Sequence, residues 1–260
     1  NSLATAPRSS GHVTPKMLRW VCVLCILHGA VQVPSFLHFH RGVRTAPRRS
    51  ARRFFALRAL PLQQAVEQLP PDATLRLPPG RHANAEPIVL RRNITLEGFP
   101  GSEKTELESC IVFEEGAERA ALRNLDIINS RRFAAVHVRC SGAPEVSGCN
   151  ISSCGIGILT DAPLNTLSNP LISDCRIGPA WQGLVIAGRC RGTFERCVIS
   201  DCRSAGIRLR NDARPVLRGN LVVGCQGPGM VVWNRAEAQM EDNVFLDNGA
   251  SETPEETLET

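Results

Sequence analysis

From about residue 121 onward, apolar and polar residues alternate in short runs, each closed by Gly, Pro, Asn, Asp or Cys, and the runs repeat in phase. Alternation of this length predicts short β-strands with one buried face. An Asn or Cys recurs at Asn93, Asn124, Cys149, Cys175, Cys197, Asn220 and Asn243, in steps of 31, 25, 26, 22, 23 and 23. A second column stands five residues on, at Gly98, Asn129, Cys154, Ala180, Cys202, Cys225 and Asn248. Between the two columns sits an apolar residue such as Ile151, Ile199 or Val222, and another, such as Val146, Phe194 or Leu217, lies three before the first. After the second column a small residue opens a further strand, as in Gly183-Leu-Val-Ile186 and Gly206-Ile-Arg-Leu209.

A unit of three such strands is too small to bury anything alone, so consecutive units must stack as coils and share one core. Strands about 4.8 Å apart then place equivalent residues directly above one another. The sequence therefore predicts an all-β parallel β-helix of about seven coils, roughly 35 Å long. In the two columns Asn amides are expected to hydrogen-bond along the stack, and Cys to fill the same slot as a small apolar side chain. The leucine-rich repeat has a comparable period, and Leu217-Arg-Gly-Asn220-Leu-Val222 looks like a piece of it. It fails because Pro, Gly or Ala stands where that repeat needs apolar residues ahead of the Asn.

The open ends of a stack need covers. Leu62, Ala65, Val66 and Leu69 recur at helical spacing behind Pro61, and Pro70-Pro71 stop the run, which predicts a short capping helix at the amino end. The expected organisation is a leader over 1–58, the β-helix over 59–248 and an acidic tail over 249–260.

Composition sharpens the division. The net charge is +5, yet residues 1–66 hold ten Lys or Arg and no acid, so the remaining 194 residues carry 20 bases and 25 acids, a balance of −5. A basic character confined to one end gives no reason to expect a nucleic-acid partner for the folded part. Met17 and Arg19 precede a 14-residue apolar run, Trp20 to Val33, followed by seven Arg between Arg41 and Arg58. This pattern fits a bipartite, plastid-like targeting leader for the secretory pathway or an organelle. Any membrane contact would come through that apolar run if it were left uncleaved.

The stretch Leu62-Gln-Gln-Ala-Val-Glu-Gln-Leu-Pro-Pro-Asp-Ala-Thr-Leu-Arg-Leu-Pro-Pro-Gly80, continuing through Glu86–Leu90 and Asn93–Gly98, resembles the entry segment of right-handed parallel β-helix proteins of the pectin lyase-like superfamily. The coils from 124 to 248 are similar to those of its carbohydrate-binding and sugar-hydrolase branch. The resemblance implies a right-handed helix and, as ligand, a polysaccharide or a protein segment laid along the outer strands. It does not fix an activity, because this fold carries lyases, hydrolases, epimerases and binding modules alike.

Polysaccharide cleavage on such a surface would need clustered carboxylates, with Ca²⁺ as the cofactor of a lyase and an Arg beside the substrate. The Asn-Thr-Asp, Gly-His-Gly and Arg-Ile-Lys signatures of galacturonase-like enzymes and the Asp-Pro-His-Asp of uronan epimerases do not occur. The remaining catalytic candidates are Asp174, Glu195 and Asp201, with Arg203 and Arg218 near them; turn carboxylates paired with Arg are the simpler reading. Ligand-binding candidates are Trp181 and Trp233 as flat platforms, and His137 and Arg208, which share the outward position of one strand column with Val185 and Val231 and are expected to be exposed. No cofactor or metal site is expected. Nine Cys outside the leader are expected to be mostly buried thiols; disulfides between stacked residues would be strained, and the Cys-x4-Cys pairs leave a soft-metal site open. The expected function is a β-helix binding or scaffold module for an extended ligand, with an enzyme acting on acidic polysaccharide as the alternative.

Overall fold

The computed structural model describes residues 61–250 except Pro100, Ser102, Ala162, Leu164 and Asn165. The leader expected over 1–58, and all but the first two residues of the acidic tail, lie outside the described residues.

The described chain winds through three parallel sheets, two of eight strands and one of seven, with every third strand stacking on its predecessor. Sheet A runs from Thr74–Leu77 to Gln239–Glu241, sheet B from Gly80–Ala83 to Val244–Leu246, and sheet C from Ile88–Leu90 to Met230–Val232. The inward columns account for the fold. In sheet A, Leu96, Leu122, Val146, Ile172, Phe194 and Leu217 stack in register. Sheet B stacks Leu107, Ile127, Ile151, Ile177, Ile199 and Val222. Sheet C turns two residues of each strand inward, so that Ile111 and Phe113 lie beside Val136 and Val138. These side chains form one continuous buried cluster. Three-residue strands suffice because each is paired on both sides and its apolar centre is covered from above and below.

At the amino end the helix Leu62–Gln68 buries Leu62, Ala65 and Val66 against the first coil. Pro61 sits at the N-cap, one position earlier than a first helical residue. Gln63 does more than cover the edge: its side-chain amide accepts from Val89 N at 2.8 Å and donates to Val89 O at 3.3 Å, standing in for a neighbouring strand. At the other end no further coil or helix follows among the described residues. Met240 and Phe245, in the same inward columns as the fully buried Leu217 and Val222, are 43% and 36% exposed.

Turns between sheets A and B are built on a left-handed residue. Asn124, Gly148, Asp174, Arg196, Gly219 and Asp242 occupy this place in six successive coils, all with φ between 51° and 61°. Gly pays no steric cost there, and Asn or Asp little. The core slot is the next residue, filled by Leu125, Cys149, Cys175, Cys197, Asn220 and Asn243. Asn124 therefore does not belong to the slot column expected from the sequence; it is exposed one residue ahead of it, and Leu125 takes the slot. Asn93 lies at a different corner altogether, ahead of a sheet A strand, where its Oδ1 accepts from Arg119 N at 2.8 Å.

The second expected column also divides. Asn129 is in register with Ser153, to whose Oγ its Nδ2 donates at 3.2 Å, and Cys154 is pushed out to solvent. Two coils later Asp201, and then Gly224 and Asp247, add a left-handed residue at this corner. That insertion moves the inward position one residue on, to Cys202, Cys225 and Asn248. Where Asn occurs, its amide bridges coils: Asn248 Oδ1 accepts from Cys225 N at 3.1 Å, and Asn243 Nδ2 donates to Leu217 O at 2.8 Å. All nine described cysteines are free thiols, and all but Cys154 are buried. Burial pushes the Cys140 thiol up to about 12, and the stacked Cys149, together with burial, holds Cys175 well above the ordinary thiol range.

Candidate functional site

The five residues singled out as catalytic candidates separate into two groups at opposite ends of the sheet B strands. Asp174 and Glu195 lie at the A–B corner beside Arg196 and Arg218. Arg196 reaches back one coil to grip Asp174 with two bonds, Nε to Oδ1 at 2.8 Å and Nη2 to Oδ2 at 2.9 Å, and turns Nη1 to Glu195 Oε1 at 2.6 Å. Arg218 continues the chain, 4.0 Å from Glu195 and 2.7 Å from Glu241. The Arg196 guanidinium holds the Asp174 carboxyl below the usual carboxylate range, and Arg218 does the same to Glu241. Carboxylates bound this way are poor proton donors at neutral pH. Similar bridges between coils, Arg76 to Glu97 at 2.8 Å and Arg123 to Glu145 at 2.7 Å, run along the outer face of sheet A. The group acts as a charged seam between coils.

Asp201 and Arg203 stand at the other corner, between sheets B and C, and there they meet Trp181. Together with Ser152, Ser153, Cys154 and Pro179 they line a depression of about 290 Å³. A second depression, of about 430 Å³, shares its Ile128, Asn129 and Ser130 wall and continues toward the amino end past Ser109, Glu108, Glu86 and Asn84. Arg131 also lines it and donates to the Ala85 carbonyl. The two form a groove parallel to the solenoid axis, because stacked coils repeat the same corner. It passes six coils, from the strand Gly80–Ala83 to the strand Val198–Ser200, roughly 24 Å at the spacing of paired strands. Serine hydroxyls and the Asn84 and Asn129 amides are set along walls whose surface is otherwise mostly apolar. Trp181, 53% exposed, stands at one end as the large flat surface. The sequence pointed to Asp201 and Arg203 as part of one patch with Asp174, Glu195 and Arg218, and to Trp181 separately as a platform; the run of Ser109, Ser130, Ser152 and Ser153 at one corner becomes visible only once the coils are aligned.

His137 and Arg208 hold the outward column of sheet C expected for them, in the series Val112, His137, Leu159, Val185, Arg208, Val231. His137, however, is not exposed. It is 6% accessible, with the Phe133 ring edge-on at 5.1 Å. Burial, and then the Arg139 charge, bring its pKa down to about 4, so the imidazole is neutral at physiological pH. Beside it Ala134, Leu159 and Val185 form a small apolar cluster outside the main core. Arg208 lies over Trp233, 4.6 Å from the ring centroid. Among the described residues no group of three or more His, Cys, Asp or Glu is placed to hold a metal ion, and no helix is long and apolar enough to cross a membrane.

Among solved structures, the A-module of the mannuronan C-5 epimerase AlgE6 of Azotobacter vinelandii is similar, with a TM-score of 0.54 at 20% identity over 69% of this chain and 60% of that one. This chain thus spans less than two thirds of that module, and the likeness is one of fold. No curated protein sequence matches. The family model described as the right handed beta helix region matches residues 102–251, more than half of the chain, and the chain belongs to that family.

Proposed function

We propose that this protein is a binding module that holds an extended polysaccharide in the groove along the B–C corner. The observation that carries this reading is the groove itself: hydroxyl and amide groups spaced by the coil repeat, with an exposed Trp181 at one end. Sugars present alternating polar edges and apolar faces, which hydroxyl-lined walls and an indole surface complement. A repeating polymer suits a repeating wall, since each further coil adds an equivalent contact. The seam at Asp174, Glu195 and Arg218 plays no part in the chemistry under this reading; its charges are spent on one another.

Cys154 supplies the test, because it is the one exposed thiol among the described residues and it lines the groove. The rate at which iodoacetamide alkylates Cys154 is measured by peptide mapping with and without a panel of soluble polysaccharides. A bound chain is expected to slow alkylation at Cys154, and Trp181→Ala to abolish that protection. Protection by unstructured peptides but by no polysaccharide would replace this reading with a protein-binding one. Release of shortened or unsaturated sugars would replace it with an enzymatic one.

A further inference from the structure

Phe133 ties the groove to a buried histidine. Its ring stands edge-on to the His137 imidazole on the outer face of sheet C, with centroids 5.1 Å apart. Its carbonyl belongs to the groove: it accepts from Asn129 Nδ2 at 2.9 Å and from Ser153 Oγ at 3.3 Å, and both side chains line the depression beside Trp181. Between them Ser130, Arg131 and Arg132 make a turn that Asn129 holds at its start, Oδ1 accepting from Arg131 N at 3.0 Å. The turn rests on Gly155, where a Cβ would strike the Arg132 and Phe133 carbonyls. One short segment, Asn129 to Phe133, is thus groove wall on one side and the cover of His137 on the other.

His137 Nε2 is buried with no hydrogen-bond partner. A neutral ring bears this at modest cost, but an imidazolium there would be a charge with no acceptor. Its own strand contributes Arg139, which repels a proton. The strand Ile111–Phe113 sets Val112 on one side of it, and the strand Ile156–Asp161 sets Leu159 on the other. The carboxylates of these strands, Glu114 and Asp161, come two residues farther along, and Glu114 is taken by Arg91 at 2.9 Å. The covering turn brings Arg131 and Arg132, both positive. A charge forced onto His137 is relieved most cheaply by lifting its cover, because the strand beneath is paired on both sides whereas Phe133 is already 51% exposed. We infer that Phe133 and the turn before it form an acid-released latch: protonation of His137 expels the ring, the Phe133 carbonyl leaves Asn129 and Ser153, and the groove wall loosens and lets a bound chain go. The latch rests on the geometry of the turn; the release of a chain rests on the polysaccharide reading of the groove.

Hydrogen exchange of the full chain, corrected for the intrinsic effect of pH, follows the amides of residues 130–135 at pH 7 and pH 4. An imidazole that titrates at about 4 under the latch and at 6.5 free of it shifts the opening equilibrium roughly hundredfold over that interval, and protection of the turn is expected to fall by that factor. The amides of Ile127 and Ile151 in sheet B are expected to stay protected. His137→Leu, which matches the neighbouring Leu159, should keep the turn protected at both pH values, and Phe133→Ala should leave it open at both. The groove wall is read with bimane attached to Cys154 in a Cys22→Ser, Cys25→Ser background, where Trp181 lies within the same depression as a quencher. Its emission is expected to shift with the midpoint of the loss of protection in otherwise wild-type protein, and in neither variant. A turn equally protected at both pH values, or a loss that His137→Leu shares, overturns the latch. A turn that opens while the bimane emission stays constant overturns its coupling to the groove. Each of these leaves the polysaccharide reading standing, whereas failure of every polysaccharide to protect Cys154 removes the release of a chain and leaves the latch.

Discussion

Asn243 Oδ1 accepts two hydrogen bonds from Asn220 in the coil before it, from the backbone N at 3.0 Å and from Nδ2 at 2.9 Å. Asn220 hands the arrangement on, its own Oδ1 accepting from Cys197 N at 3.0 Å and its Nδ2 donating to Phe194 O at 2.9 Å. Asn220 is 2% exposed, so no water can take over these bonds. Asn220→Ala would leave the Cys197 N–H and one acceptor site of Phe194 unmet in a dry core, at about 1–3 kcal/mol for each buried group left unsatisfied. The expected loss is about 2–4 kcal/mol in urea unfolding at neutral pH. Asn220→Cys fills the slot with the side chain found at Cys149, Cys175 and Cys197 and should lose less than the Ala variant. A loss below about 1 kcal/mol for Asn220→Ala would show that the stack does not depend on these bonds.

The two ends of the solenoid differ in the same terms. Phe194 is 1% exposed with a coil on either side, whereas Phe245 in the last described coil is 36% exposed. Phe194→Ala should cost about 3–5 kcal/mol, the range for a buried aromatic removed from a packed core. Phe245→Ala should cost about 1 kcal/mol, since much of its apolar surface is already in water. Equal losses for the two, compared by thermal and urea unfolding, would mean that something covers the last coil in solution.

Much of this architecture was legible in the sequence because a stack turns structure into periodicity. Val146, Ile172, Phe194 and Leu217 recur at the spacing of the coils, and each falls on an inward column of sheet A. Errors arose where one residue changed the parity of a turn. Asn124 looks like the Asn of Asn220, but it is the left-handed residue of its turn, and Leu125 is the inward one. Cys154 looks like Cys202 until the added Asp201 is counted, which shifts the later coils by one. The burial of His137 depends on Phe133 folding over a strand from the preceding turn, and no spacing announces it. The groove was missed for a related reason: its serines are scattered in the chain and share only a corner.

The neutral His137 gives the fold a pH dependence with a definite sign. In the unfolded chain the imidazole takes up a proton near pH 6.5, whereas in the fold it resists protonation until about pH 4. Between these values the unfolded state binds more protons, so stability falls as pH drops from 6.5 to 4 and this contribution levels off below. A gap of that size corresponds to at most about 3 kcal/mol. The ion-paired carboxylates Asp174, Glu145 and Glu241, whose pKa values are lowered, also lose their contribution on acidification. His137→Leu isolates the imidazole: its unfolding free energy should change less between pH 7 and pH 4.5 than that of the wild type, with the carboxylate part common to both. An identical pH profile for the two proteins would show that His137 is not buried neutral.

The division of the carboxylates between two corners makes opposite predictions for residues only a strand apart in the chain. Asp174 and Glu195 are engaged by Arg196, and neither lines the groove. Asp174→Asn and Glu195→Gln are therefore expected to leave polysaccharide affinity within about twofold of wild type. Both are expected to leave the melting temperature nearly unchanged in high salt, because exposed pairs are screened. Trp181→Ala and Arg203→Ala remove groups that line the groove, and each should weaken binding by about tenfold or more, as truncation of an aromatic or Arg anchor does. The comparison is made by calorimetry with whichever polymer protects Cys154 from alkylation. The reverse ranking, with Glu195→Gln crippling and Trp181→Ala silent, would move the site to the A–B corner. The charged seam would then be a substrate surface, and the enzymatic alternative would gain what the binding module lost.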